Sequence, residues 1–253
     1  MGRDVVQRHL APVCFLQPQL DSTTLSEPHK EGFMDISAII QTWSKVLTQP
    51  GEAVFQEEKA RPNATLLTAI IWVLVAAVIA GVLNLIRGMI FVTSSGGFEM
   101  MLRQMDLPPE VIQQFNMIMS PGMMTGLMGA QTIASIILSP IFFLIGVGIL
   151  HLVASLLGGQ GDFGRYAYLN ATFQAPITIA SAILGFVPFL GGCLSFLLAI
   201  YGIVLAYFAT KVNYGLTSGK ALVVVLVPVI LVFLVFICMF LGLAGLLLST
   251  GGS

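Results

Sequence analysis

From Ala221 to Leu248 the chain reads ALVVVLVPVILVFLVFICMFLGLAGLLL, without one charged residue. A helix needs roughly 20 apolar residues to cross the hydrocarbon of a bilayer, and this run supplies them. Ala64–Ile86 (ATLLTAIIWVLVAAVIAGVLNLI) is equally continuous, with Asn84 its one strongly polar residue. Thr125–Leu157 suits one tilted or kinked span. Pro140 removes a backbone donor there and is the natural kink. Tyr166–Pro188 is less apolar but has no charge between its ends, and Pro188–Gly192 (PFLGG) forms a tight turn into Cys193–Thr210. The sequence predicts an all-α fold, a polytopic transmembrane helical bundle of five spans at about 64–86, 125–157, 166–188, 193–210 and 221–248. Four spans are the alternative, should the third run dip in and out. A β-barrel is excluded, because its strands alternate over about 10 residues with polar lumen positions.

Composition agrees. Hydrophobic residues make up 57% of the 253 and charged residues 9%, against about one quarter charged in soluble domains. The formal net charge of −1 offers no basic face for a phosphate backbone, so no nucleic-acid partner is expected. Cys14, Cys193 and Cys238 are scattered and odd in number, with neither metal spacing nor a disulfide framework. No Ser-His-Asp set, His-Glu zinc motif or paired carboxylate occurs, and Asp162 is the sole acid after Glu110. Gly158-Gly159-Gln160-Gly161 lacks the Lys-Ser/Thr of a phosphate loop. The expectation is a protein that is not an enzyme, with no catalytic residue, no cofactor and no metal.

Lys and Arg in flanks and short loops mark the cytoplasmic side. Arg3, Arg8, Lys30, Lys45, Lys59, Arg61, Arg165, Lys211 and Lys220 share one side of a five-span chain, and only Arg87 and Arg103 fall on the other. The N-terminus is therefore expected in the cytoplasm. Residues 1–32 hold no adequate apolar core for a signal peptide and read as a disordered tail. Residues 33–58 form an amphipathic interfacial segment before the membrane domain at 59–248, and 249–253 is a short C-terminal tail. In 33–47, Phe33, Ile36, Ile39, Ile40, Trp43, Val46 and Leu47 recur at three and four. Such a helix lies in the interface with Trp43 at headgroup level. It serves as an anchor or as a lipid-sensing or partner-docking element.

The loop at about 87–124 is crowded with methionine, including Met100, Met101, Met105, Met117, Met119, Met123 and Met124, with Met128 just beyond. Thioethers ligate Cu(I), but no His or Cys joins them, and methionine also suits an adaptable apolar surface. His151 is the single histidine of the bundle. It either lines a pathway or bonds a neighbouring helix. Asn84, Asn170, Gln174 and Asn213 are expected as interhelical or interfacial polar contacts. No Asp, Glu, Lys or Arg lies deep in a span, which argues against a charge-coupled pump.

Three stretches carry a family resemblance. Trp43–Phe55 (WSKVLTQPGEAVF) looks like the pre-membrane segment of Yip1-domain proteins of prokaryotic type. Gly158–Pro176 (GGQGDFGRYAYLNATFQAP) looks like their glycine turn, aromatic-rich helix start and proline. Ile200–Ala221 (IYGIVLAYFATKVNYGLTSGKA) resembles the end of their fourth span and the entry to the fifth. Together these cover roughly 33–248. The resemblance implies five spans, a cytoplasmic N-terminus and a cell-membrane location, or an endomembrane such as the Golgi or endoplasmic reticulum in a eukaryotic host. Eukaryotic members are linked to vesicle traffic and Rab-type GTPases. They typically carry a "DLYGP"-like motif before the first span, which this chain lacks, so Rab binding does not carry over. The main expectation is a membrane-organising or trafficking-like scaffold, with membrane lipids and membrane-protein partners or a homo-oligomer around it. The alternative is a small transporter, channel or lipid-handling protein with a polar cavity near His151, Asn170 and Gln174.

Overall fold

The computed structural model describes residues 36–93, Glu110, Gln113, 121–187 and 190–250. The expected tail 1–32 and most of the methionine-rich loop lie outside the described residues. Among these residues there are seven helices and no strand: α1 Ile36–Thr48, α2 Glu52–Lys59, α3 Leu66–Thr93, α4 Pro121–Leu156, α5 Phe163–Leu184, α6 Leu190–Tyr214 and α7 Ser218–Thr250. Four of them, α3, α4, α6 and α7, are long and apolar enough to cross a membrane.

The third expected span is a helix too, but a different kind. Its first half, from Tyr166 through Phe173, is buried all the way round. It packs on α3 and α6, with α1, α2 and α4 completing the enclosure. A helix shielded by protein is under no pressure to be uniformly apolar, and this one carries Asn170 and Thr172 inside. On α3 the inward face is Ala69, Trp72, Val73, Ala76, Ala77 and Ala80. Their three-and-four spacing makes one stripe, and its alanines let the two backbones approach closely.

Pro140 and Pro228 are accommodated inside α4 and α7, and Pro176 inside α5. Of the tight turn expected at Pro188–Gly192, Pro188 and Phe189 lie outside the described residues and Leu190–Gly192 already belong to α6, where Gly191 sits close against the end of α5. A Cβ there would collide with the Leu184 carbonyl oxygen. Helix α6 starts at Leu190, earlier than the apolar run alone suggests. At the other end of the bundle, α4 stops at Gly158, whose φ of 85° suits a residue without a Cβ.

Candidate functional site: where the first two helices join the bundle

Helices α1 and α2 bring side chains onto the N-terminal half of α5. Val46 and Phe55 are fully buried. Phe55 lies between Phe173 and Phe208, at centroid distances of 6.4 and 6.5 Å. Trp43 meets Trp72 edge-on at 5.9 Å, and Trp72 in turn lies 5.2 Å from Tyr168. Tyr201 donates to the Leu47 carbonyl at 2.6 Å. One face of α1 thus joins the protein core, while Ile36 and Ile40 stay 70% and 56% exposed.

A carboxylate sits at the centre of this junction. Glu58 is fully buried. Tyr168 donates to its Oε2 at 3.2 Å, and Arg61 Nη2 lies 2.9 Å from Oε1. Arg61 also donates to Thr42 on α1 at 2.8 Å. Burial pushes the Glu58 carboxyl above its ordinary range, and Arg61 pulls the other way. The exposed neighbour Glu57 goes down instead, through its hydrogen bond and ion pair with Lys45. A second surface pair joins Lys211 to Glu52, so α2 is tied to both α1 and α6.

Two lysines from the basic flanks act as helix caps. Lys59 donates to the Val212 and Asn213 carbonyls at 3.1 and 3.0 Å, and Lys220 to the Leu157 carbonyl at 2.9 Å. Both reach carbonyls at helix C-termini, where a cation is favoured. Burial, and then the Arg165 charge, hold the Lys59 ammonium below its usual value. Asp162 caps the start of α5 by accepting from the Arg165 N–H at 2.8 Å. Asn213 donates to the Asp162 carbonyl at 3.1 Å.

The polar residues singled out in the sequence separate into two groups. His151 Nδ1 is hydrogen-bonded to the Tyr214 hydroxyl, and its ring meets Phe163 edge-on at 5.3 Å. Tyr214 stacks edge-on against Tyr166 at 4.9 Å, and the Tyr166 hydroxyl bonds Thr210 at 2.8 Å. Asn170 is buried and donates to the Tyr166 carbonyl at 2.8 Å. These groups close upon one another. Gln174 is exposed and lines a recess of about 240 Å³ with Ser139 and Thr178. Asn84 lines an adjoining recess of about 500 Å³. The expected shared cavity of His151, Asn170 and Gln174 is therefore not formed by these three together. Cys193 and Cys238 are free and exposed, and among the described residues no group of three His, Cys, Asp or Glu is placed to hold a metal.

The glycine turn and aromatic helix start are thus packing devices. A Cβ at Gly161 would come within 2.5 Å of the Asn213 side chain, and the tyrosines after it fill the junction. A family model, the Yip1 domain, matches residues 44–239. The chain belongs to the Yip1-domain family. The match begins at Ser44, near the end of α1, and ends at Met239 in α7, so it takes in the last turn of α1 and all of α2. No curated protein and no solved structure matches the chain. With the four long apolar helices, family membership makes this a transmembrane protein of the Yip1 type.

Glu58 and its partners were not apparent from sequence. The segment 52–58 (EAVFQEE) reads as one or two further turns with Val54 and Phe55 touching lipid or the bundle, and only the spacing of Glu58 three residues after Phe55 marks it as sharing the inward side.

Proposed function

We propose that this Yip1-domain protein is a non-enzymatic, membrane-organising scaffold. It has five spans, a cytoplasmic N-terminus and a docking rim made of α1, α2 and the segments 158–165 and 211–220. The observation that carries this is the rooting of α1 and α2 in the bundle through Val46, Phe55 and the Glu58–Arg61–Tyr168 set. A helix held that way presents its outer face in a fixed orientation, and the outer face of α1 carries the exposed Ile36 and Ile40. Lipid or a partner segment is the natural cover for such residues. Five spans follow if α5 crosses inside the other helices. The excess of Lys and Arg on the side of α1 and α2 supports the cytoplasmic placement, as does the family resemblance.

Reconstitution into liposomes tests the function. A scaffold gives no protein-dependent leak of entrapped small solutes. It gives self-association or vesicle clustering that falls when Ile36 and Ile40 are both changed to Asp. Protein-dependent solute flux, with no association, overturns it. Single cysteines at Ser44, Gln160 and Ser218, in a background lacking the native thiols, test the topology. All three should react with an impermeant maleimide from the same side, and one at Ser253 from the other.

A further inference from the structure

A polar furrow runs along three helices on the side of the bundle away from the tyrosine junction. On α3 it is bounded by Ala77, Ala80, Gly81, Asn84, Arg87 and Gly88. On α4 it is bounded by Gln131, Thr132, Ser135 and Ser139, and on α5 by Gln174 and Thr178. The spacing of three and four on each helix places these residues on one face. The two recesses, of about 500 and 240 Å³, share Ser139 and Thr178 and so adjoin. From Ala77 to Gly88 the furrow climbs about 16 Å along α3, roughly half the thickness of a hydrocarbon core. It starts near mid-membrane and ends where Arg87 donates to the Gly185 carbonyl at 3.3 Å, at the C-terminal end of α5. That end is remote from α1 and α2.

The hydroxyls of Thr132, Ser135 and Thr178 bond carbonyls of their own helices. The amides of Asn84, Gln131 and Gln174 have no hydrogen-bond partner among the described residues. Unpaired amides at membrane depth are costly unless something polar meets them. The lining holds one cation, Arg87, and no carboxylate. Its rims are apolar, with Leu85 and Met128 on the larger recess and the exposed Phe142 on the smaller. A polar recess with one guanidinium at its mouth and apolar flanks matches an amphiphile with an anionic phosphodiester and acyl chains.

We propose that the furrow between α3, α4 and α5 is a phospholipid site. The phosphodiester pairs with Arg87, the glycerol and ester oxygens meet Asn84, Gln131 and Gln174, and the chains lie against the rims. A second copy of the chain is the weaker occupant. It brings no carboxylate for Arg87 from any apolar span, because residues 64–93 and 121–250 contain one acid, Asp162, at the opposite end of the bundle.

Native mass spectrometry of the full chain decides it, after release from nanodiscs of dioleoylphosphatidylglycerol or from detergent loaded with dioleoylglycerol, which has no phosphate. The expected result is a retained phospholipid and no retained diacylglycerol. Arg87→Leu should lower retention at least about tenfold, the scale of one charge-assisted hydrogen bond. Ser135→Phe, at an exposed position on the furrow floor, should do the same by occupying the space with every amide left in place. This second variant decides the matter should the first fail to fold. Equal retention of both probes, retention unchanged by Ser135→Phe, or a lipid-free dimer that Ser135→Phe dissociates would each overturn the proposal.

Discussion

Helices α5 and α7 are the least and the most apolar of the long helices, and their positions are the reverse of what a soluble protein teaches. Helix α5 carries Arg165, Asn170 and Gln174, yet its stretch Tyr166–Phe173 is the longest unbroken buried run among the described residues. Helix α7 has no polar side chain between Ala221 and Leu248, yet from Val229 to Leu241 its large side chains stand exposed, Phe240 to 72%. In lipid the exposed surface is the one that must be apolar, because no water is there to satisfy a polar group. A helix covered by protein is free to carry hydroxyls and amides, and those then specify its packing. Hydropathy therefore locates α7 at once and understates α5.

The sharpest way to break the buried side of this contrast is Arg61→Leu. It strands the buried Glu58 carboxylate beside Tyr168, and removing one partner of a buried pair costs about 3–5 kcal/mol. The measurement is thermal unfolding of the purified protein in mild detergent. Because the cost belongs to the stranded charge, adding Glu58→Gln should restore most of the lost stability. Glu58→Gln alone should cost less, since one third of the Arg61 side chain reaches solvent. If Arg61→Leu leaves the midpoint unchanged, α2 is not rooted as described.

Next in size is a matched pair of truncations. Leu169 is fully buried in α5, and Leu234 is exposed on α7. Leu169→Ala should cost about 2–5 kcal/mol through lost packing and a residual cavity. Leu234→Ala should cost a small fraction of that in the same assay, because its contacts are with lipid or detergent. Equal losses would mean that α7 is covered by protein in the native assembly.

Much of the architecture was legible in the sequence. The continuous runs announce α3, α4, α6 and α7, but PFLGG is not the turn it suggests, since Leu190–Gly192 already belong to α6 and Pro188 and Phe189 lie outside the described residues. The three-and-four spacing of Ile39, Trp43 and Val46 foretells α1. The central position of α5 was not legible, since neither its length nor its lack of charge distinguishes a covered helix from a lipid-facing one. Lys59 and Lys220 read as topogenic charges. Their capping of α6 and α4 depends on how short loops fold back, which spacing does not encode. The furrow residues Gln131, Ser135 and Ser139 do show a four-residue repeat, but the apolar residues between them mask it.

A smaller effect separates the two neighbouring acids of α2 by pH. The folded-state value of Glu58 is raised above 4.5, so its charged form opposes folding at neutral pH. That penalty is relieved as pH falls through the raised value toward 4.5. The folded-state value of Glu57 is lowered, so its contribution is present above 4.5 and is lost as pH falls through the lowered value. Between pH 7 and 4.5 the wild-type protein should therefore gain stability relative to Glu58→Gln. Below 4.5 it should lose stability relative to Glu57→Gln. Parallel curves for Glu58→Gln and wild type would place that carboxyl in water.

The smallest expected effect concerns the two tryptophans at the foot of the bundle. Trp72 is buried between Trp43 and Tyr168, and Trp72→Phe removes packing from the α3–α5 interface. Trp43 is half-buried, and its indole N–H is buried with no hydrogen-bond partner among the described residues. A buried donor left unmet costs about 1–3 kcal/mol, and phenylalanine lacks that donor while keeping an aromatic edge toward Trp72. Trp43→Phe should therefore lower the unfolding midpoint by less than half as much as Trp72→Phe. A larger loss at Trp43 would show that the indole N–H is satisfied in the membrane, by a lipid carbonyl or water at the interface. Helix α1 would then be held by the bilayer as much as by the bundle, and the contrast between protein-covered and lipid-covered surfaces would run through a single side chain.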